Sequence, residues 1–322
     1  MRTKQELFRA AKDRLAEQHQ RALSRALYNR QQAQEKLPEL AGLEDEARRC
    51  GFEAARLAAT GAEKDKVQAM LAKGDEIRAR RDELLRGAGI DPAGLEPVYQ
   101  CPACRDTGRV NGNTCECLIR MARRLRREEI AASTALSVSR FDALDRTLYP
   151  DVFDPALGDT QRHYMTELLD QLEEYANTFD ERSVSLVLRG NAGLGKTHAA
   201  LAIAGIVLEK GYDVVYISAQ ELFGRLEKTR FEEDNSLMEG VLEADLLILD
   251  DLGTEYVSPY MLSCFYTILN TRIGNRRPTI YTTNIVDGTA FEARYTEKIA
   301  SRLGGECEDF LFVGEDIRQL RA

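Results

Sequence analysis

Eight consecutive residues are spaced to cradle phosphate. Gly190-Asn191-Ala192-Gly193-Leu194-Gly195-Lys196-Thr197 matches the pattern G-x-x-x-x-G-K-[ST]. The glycines let backbone N–H groups curl around phosphate oxygens with no Cβ in the way, and the helix start that follows adds partial positive charge. Lys196 would reach the β- and γ-phosphates of a nucleotide, and Thr197 would hold Mg²⁺. His198, next in the chain, is grouped with the loop but reads as a packing residue. The alternative is a Gly-rich turn in an unrelated α/β fold; the strand-like run 184–188 before the loop and the helical run Ala199, Leu201, Ala202, Ile206 after it favour the phosphate loop.

A second group is acidic. Leu246-Leu247-Ile248-Leu249 reads as a buried strand ending in Asp250-Asp251. Ligands of open parallel sheets bind beyond the C-terminal strand ends. Asp250 there would orient Mg²⁺ or its water, and Asp251 would polarise an attacking water. The run Thr279–Thr283 ends in Asn284, which would position that water or cap a turn. Arg302, or Arg294 in its place, would act as an arginine finger in a neighbouring subunit, and Arg318 would touch nucleotide bound to its own subunit; a surface role is the alternative for each.

A third group is sulfur. Four of the seven cysteines, Cys101, Cys104, Cys115 and Cys117, lie within seventeen residues, with Asn111-Gly112 as a hairpin turn between the pairs. The spacing suits four thiolates on one structural Zn²⁺; a redox switch and unliganded thiols are the alternatives. Arg120, Arg123, Arg124, Arg126 and Arg127 follow, either as phosphate contacts for nucleic acid or as a solvated face paired with Glu128 and Glu129. Arg272, Arg276 and Arg277 form another basic candidate for DNA contact, with a solvated Arg-rich loop as the alternative.

These groups need elements to hold them. The chain has 322 residues, 43% hydrophobic and 30% charged, which excludes a wholly disordered protein. No apolar run is long enough for a transmembrane helix, and the first residues lack a signal-peptide core, so a soluble cytoplasmic protein with no membrane role is expected. Residues 1–150 carry 28 Lys and Arg against 23 Asp and Glu, a net of +5; the remainder carries 16 against 30, a net of −14. Two modules follow from that split. Apolar residues recur at three- and four-residue steps over 4–48, interrupted at Pro38, and again from about 62 until Gly87 and Gly89. Residues 1–95 therefore read as a helical hairpin or coiled coil, self-packed or built to bind a partner. Residues 96–130 form the zinc module and basic helix, 131–160 a linker, and 161–322 an α/β domain. In that domain the apolar runs 184–188, 214–217, 246–249, 279–282 and 310–313 alternate with helices, which predicts a parallel sheet covered on both faces. The run 213–217 falls between the two motifs in the chain and is expected to insert between their strands.

Together these residues resemble bacterial replicative-helicase loaders of the DnaC/DnaI type, within the AAA+ ATPases. The resemblance covers about 97–322. It is carried by Gly190–Thr197, Leu249-Asp250-Asp251-Leu252-Gly253-Thr254-Glu255, Tyr281-Thr282-Thr283-Asn284, Gly314-Glu315-Asp316-Ile317-Arg318 and the cysteine module with Asp106-Thr107-Gly108. It implies an α/β AAA+ (ASCE) P-loop domain with a five-stranded parallel sheet and little or no C-terminal lid. A helical hairpin or coiled coil and a small zinc module precede it. ATP and Mg²⁺ would bind at Lys196, Thr197 and Asp250, with Asn284 as sensor 1, Arg302 as arginine finger and Arg318 as sensor 2. Many AAA+ proteins carry Glu where Asp251 stands, so hydrolysis is expected to be slow. The implied partners are a DnaB-type replicative helicase, single-stranded DNA and further copies of the chain. The alternatives are an IstB-type transposition helper and a nucleotide-gated adaptor with negligible hydrolysis.

Overall fold

The computed structural model describes residues 2–134, 140–231 and 235–317. Arg318 lies outside the described residues. The chain divides into two compact units, Lys12–Cys117 and Met1–Ala11 with Leu118–Ala322.

Helix α1 (Lys4–Lys36) gives way at Pro38 to α2 (Glu39–Ala59). Proline has no N–H to continue the helical ladder, so the long periodic stretch divides where the sequence predicts. Gly61, with a left-handed φ of 71°, turns the chain into α3 (Lys64–Gly87), which packs on α2 as a hairpin. The core here is small: Ala33, Leu40, Leu85 and Leu95, flanked by Leu37 and Ile90. Leu27, Tyr28 and Phe52 remain exposed. Strands β1 (Arg109–Val110) and β2 (Asn113–Thr114) pair antiparallel across Asn111-Gly112, both residues having positive φ, as a tight hairpin turn requires.

The larger unit contains most of α4 (Glu116–Ser133). The stretch read as a linker then holds two short 3₁₀ turns and the small hairpin β3 (Phe153–Asp154) and β4 (Asp159–Thr160). Five strands follow among helices: α5 (Gln161–Thr178), β5 (Ser185–Arg189), α6 (Lys196–Lys210), β6 (Val214–Ser218), α7 (Ala219–Lys228), α8 (Ser236–Glu243), β7 (Leu246–Leu252), α9 (Pro259–Gly274), β8 (Thr279–Thr283), α10 (Gly288–Tyr295), α11 (Glu297–Glu306) and β9 (Cys307–Leu311). All five strands are parallel, in the order β6-β7-β8-β5-β9. The strand inserted between the phosphate-loop strand β5 and the acidic strand β7 is therefore β8; β6, expected there, lies at the edge. Chain order does not reveal sheet order when helical crossovers separate every pair of strands.

One face of the sheet packs on α5 and α6 through Leu186, Leu188, Leu169, Ile203 and Val207. The other packs on the helices from α7 onward through Val215, Ile217, Leu247, Phe265 and Ile299. Helix α6 is buried on nearly every side, which its run Ala-Ala-Leu-Ala-Ile-Ala permits. The last strand starts in polar Cys307-Glu308-Asp309, ahead of the apolar run 310–313, because an edge strand has only one neighbour and need not be apolar throughout.

Two arginines fold inward, Arg272 and Arg126. Arg272, read as a DNA contact, is 1% exposed. It donates to Thr279 Oγ1 and to the carbonyls of Val241, Ala244 and Pro278 at 2.6–3.0 Å. Burial lowers its pKa to about 10. The reading of Arg272 as a DNA contact is therefore corrected: it ties the ends of α8 and α9 to the start of β8. On α4, Arg126 is also buried, donating twice to Asp213 at 2.9 and 3.0 Å and to Glu129 at 2.6 Å. Arg127 reaches Glu209, and Arg123 donates to the Glu209 carbonyl at the end of α6, where a cation opposes the helix dipole. Of these three, Arg126 is an internal brace, while Arg123 and Arg127 are tied at the surface to the end of α6.

Replacing Arg272 by Met should cost about 3 kcal/mol of stability, since buried carbonyls lose a charged donor. Urea unfolding measures this; a loss within about 0.5 kcal/mol, as at an ordinary surface site, would contradict the assignment.

Candidate nucleotide site and metal centre

Strand β5 delivers the chain at Gly190, and α6 starts at Lys196. Between them two glycines of the loop sit against other residues. A Cβ at Gly190 would strike the Phe312 carbonyl, and one at Gly193 the Asp316 carboxylate, where φ is already 79°. Two groups outside the motif grip the loop. Tyr149 O–H donates to the Leu194 carbonyl at 3.0 Å, and Ile317 N–H to the Gly193 carbonyl at 3.1 Å. Burial raises the Tyr149 pKa to about 12, keeping it a donor.

Lys196 is nearly buried. Its Nζ donates to the carbonyls of Gly190 and Asn191 at 2.7 Å and to Asn284 Oδ1 at 2.8 Å. The loop lysine and the residue ending β8 are thus joined directly. Thr197 Oγ1 lies 3.1 Å from Asp250 Oδ1. Asp250, 2% exposed, also accepts from Tyr216 O–H at 2.6 Å and from Thr282 O–H at 2.5 Å. Burial, and the Asp250 carboxylate with it, push the Tyr216 pKa up. Asp251 follows with a left-handed φ of 56°.

One cleft of about 850 Å³ brings these groups together. The motif residues Ala192 to His198, Asp250, Asp251 and Asn284 line it. So do Ile317, from the motif 314–318, and Thr134, Leu144, Asp145, Tyr149 and Tyr216, which the sequence reading did not single out. Hydroxyls and apolar residues from outside a motif carry no spacing signal. A hydroxyl and a carboxylate side by side are hard oxygen donors of the kind Mg²⁺ takes, and the lysine and loop N–H groups suit phosphate. The residues therefore fit a magnesium nucleotide.

Arg302 does not line the cleft. It sits half-exposed on α11, 3.9 Å from Glu306. Arg294 is engaged elsewhere, donating to the Glu255 carbonyl at 2.6 Å. Glu255 itself is buried; it accepts from Gly253 N–H at 3.0 Å and Tyr295 O–H at 2.5 Å, clamping the turn after Asp251. Burial and then Glu255 raise the Tyr295 pKa.

Residues 120–315, more than half of the chain, match the IstB-like ATP binding proteins. The chain belongs to this family. The match runs from α4 through the whole sheet and takes in the phosphate loop, both acids and Asn284. Among curated proteins, this family member is similar to the phage-like element PBSX protein XkdC of Bacillus subtilis, 27% identical over 261 residues, covering 74% of this chain and 90% of XkdC. It is also similar to the replicative helicase loader DnaC of Escherichia coli, 29% identical over 119 residues, covering 36% of this chain and 49% of DnaC. The chain thus spans about half the length of DnaC. A crystal structure of the DnaC helicase loader aligns with a TM-score of 0.44 and 25% identity, over 47% of this chain and 90% of that one.

The cysteine centre precedes the family match. Its four sulfurs lie within 4.8 Å of one another, all on buried residues. Cys101 and Cys115 are 3.8 Å apart and Cys104 and Cys117 3.3 Å. Four thiolates at about 2.3 Å from a central Zn²⁺ would have edges of about 3.8 Å, so the cage has the right size. Asp106 shapes it by accepting from Gln100 and Cys101 N–H at 2.9 and 2.7 Å, and Gly108 N–H donates to Cys104 Sγ at 3.3 Å. Burial pushes the Cys104 thiol up, but hydrogen bonds from Cys117 and Gly108 outweigh it and bring the pKa down to about 7. Among the described residues no other group of three or more His, Cys, Asp or Glu side chains is gathered to hold a metal, and no helix is long and apolar enough to cross a membrane.

Protein purified without chelator should contain about one zinc per chain. Metal analysis with thiol titration checks this; four reactive thiols and no zinc would remove the metal centre.

Proposed function

We propose that this member of the IstB-like family is an ATP-switched loader of a DnaB-type replicative helicase onto single-stranded DNA. One observation carries the nucleotide part: Lys196, Thr197, Asp250, Asp251 and Asn284 converge on a single cleft. The loader part rests on similarity to DnaC.

In this reading the loop N–H groups and Lys196 hold the phosphates. Thr197 and Asp250 would hold Mg²⁺, which when bound neutralises charge on the β- and γ-phosphate oxygens. Asp251 accepts hydrogen bonding from the attacking water, and Asn284, joined to Lys196, orients the γ-phosphate side of the cleft. Asp251 is shorter than the more usual glutamate, which favours slow turnover and a switch-like role. Arg302, exposed and away from its own cleft, would serve a neighbouring copy of the chain. Residues 1–95 and the cysteine module would dock the helicase.

For DNA, the favoured surface is the end of α7. Arg230 lies 4.6 Å over the Tyr260 ring, and Phe231 and Tyr256 nearby in the chain are 92% and 87% exposed. Exposed rings beside a cation offer sequence-tolerant base stacking.

Lys196→Ala should abolish nucleotide binding, and Asp251→Ala should keep binding while cutting turnover at least about tenfold. Fluorescent-nucleotide titration and phosphate release measure the two. Equal, negligible turnover of wild type and Asp251→Ala would leave a nucleotide-gated adaptor. Phe231→Ala should weaken single-stranded DNA binding by about 1–3 kcal/mol, read by fluorescence anisotropy; unchanged affinity would move the DNA surface elsewhere. In a pull-down, the full chain should retain a replicative helicase; retention of a transposase instead would favour the transposition-helper reading.

A further inference from the structure

Successive residues of a regular strand point to opposite faces of the sheet. An unbroken β7 would therefore send Asp250 and Asp251 apart, yet both line the same cleft. The register explains it. Leu249 pairs with Tyr281 and Leu252 with Thr283, so Asp250 and Asp251 stand against the single residue Thr282. This is a β-bulge, two residues opposite one, of the kind that re-aims side chains beside functional sites.

A bulge breaks the ladder and leaves backbone groups without their regular partners. Two hydroxyls of β8 take those places. Asp251 N–H donates to Thr282 Oγ1 at 2.9 Å, and Thr283 O–H donates to the Leu252 carbonyl at 2.8 Å. The Thr282 hydroxyl has one proton, and it goes to Asp250 Oδ1 at 2.5 Å. One fully buried oxygen thus touches the backbone of Asp251 and the carboxylate of Asp250. Asp251 needs such a hold, because its left-handed φ of 56° is costly for a residue with a Cβ.

We propose that Thr282 is a positioning residue for the reaction in this cleft. Its hydroxyl fixes the bulge that turns both carboxylates toward one nucleotide. The inference rests on the reading of the cleft as an ATP-hydrolysing site.

The test compares full-length wild type with Thr282→Val, which keeps the shape of the buried side chain and removes the hydroxyl, and with Thr282→Ser, which restores it. Turnover and ATP affinity are measured across a Mg²⁺ titration, with unfolding midpoints alongside. For Thr282→Val, kcat should fall at least about tenfold with KM within about threefold of wild type, and half-maximal turnover should need more Mg²⁺. Thr282→Ser should recover most of both losses. Should Thr282→Val not fold, Thr282→Ala takes its place with the same expectation. A hydroxyl-free variant with wild-type kcat and Mg²⁺ dependence overturns the proposal. So does failure of serine to restore them, which would assign the effect to methyl packing. If wild type itself binds ATP without turning it over, the hydrolysis reading falls, and Mg²⁺-dependent ATP affinity decides separately. Loss of the Mg²⁺-induced gain in Thr282→Val, with recovery in Thr282→Ser, supports the positioning role; an equal gain in all three overturns it.

Discussion

A buried carboxylate must be met by donors, and Asp250 sets that demand at the centre of this molecule. The hydroxyls that meet it come from three elements: Thr197 at the start of α6, Tyr216 on β6 and Thr282 on β8. Strands β6 and β8 are the two neighbours of β7 in the sheet, and α6 leads out of the phosphate loop. The strand order is thus what surrounds one charge with three donors. Exchange any neighbour of β7 and the carboxylate loses a partner, a cost on the order of that of a lost hydrogen bond to a charged group.

The phosphate loop was legible because its chemistry is local. Glycine positions, a lysine and a hydroxyl within eight residues define it, and the strand and helix around it show in hydrophobic periodicity. The acidic pair at the end of β7 and the sulfur cluster were legible for the same reason. The division at Pro38 and the turn at Asn111-Gly112 followed from residues with few conformational options. What escaped the sequence depends on register and on partners distant in the chain. Nothing in Leu246–Leu252 announces a bulge, and nothing in Tyr216 or Tyr149 distinguishes them from core tyrosines. The position of β8 between β5 and β7 was likewise hidden, since each crossover is long enough to reach any slot.

The arginines teach a related lesson. Residue type suggests exposure, and the run Arg120 to Arg127 suggests a nucleic-acid face. Yet Arg123, Arg126 and Arg127 find partners at Glu209 and Asp213, in the part of the chain that carries the net charge of −14. Arg272 caps carbonyls in the interior. A guanidinium offers five donors in a rigid fork and serves readily as an internal brace. The arginines that sequence left open between DNA contact and a solvated face are partly structural, while the exposed aromatics Phe231 and Tyr256 lay outside every motif.

The sheet order also bears on how the chain is made. Strand β5 carries the phosphate loop, but its two neighbours, β8 and β9, are the last two strands in the sequence. Every residue of the loop has been synthesised about eighty residues before the first neighbour of its strand emerges, and more than a hundred before the second. Both pairings are non-local, so closing them pays a large loop entropy late in assembly. The site that defines the family is therefore the last part of the sheet to acquire its supports. A ribosome-bound fragment can hold a finished phosphate-loop sequence and still have no nucleotide site.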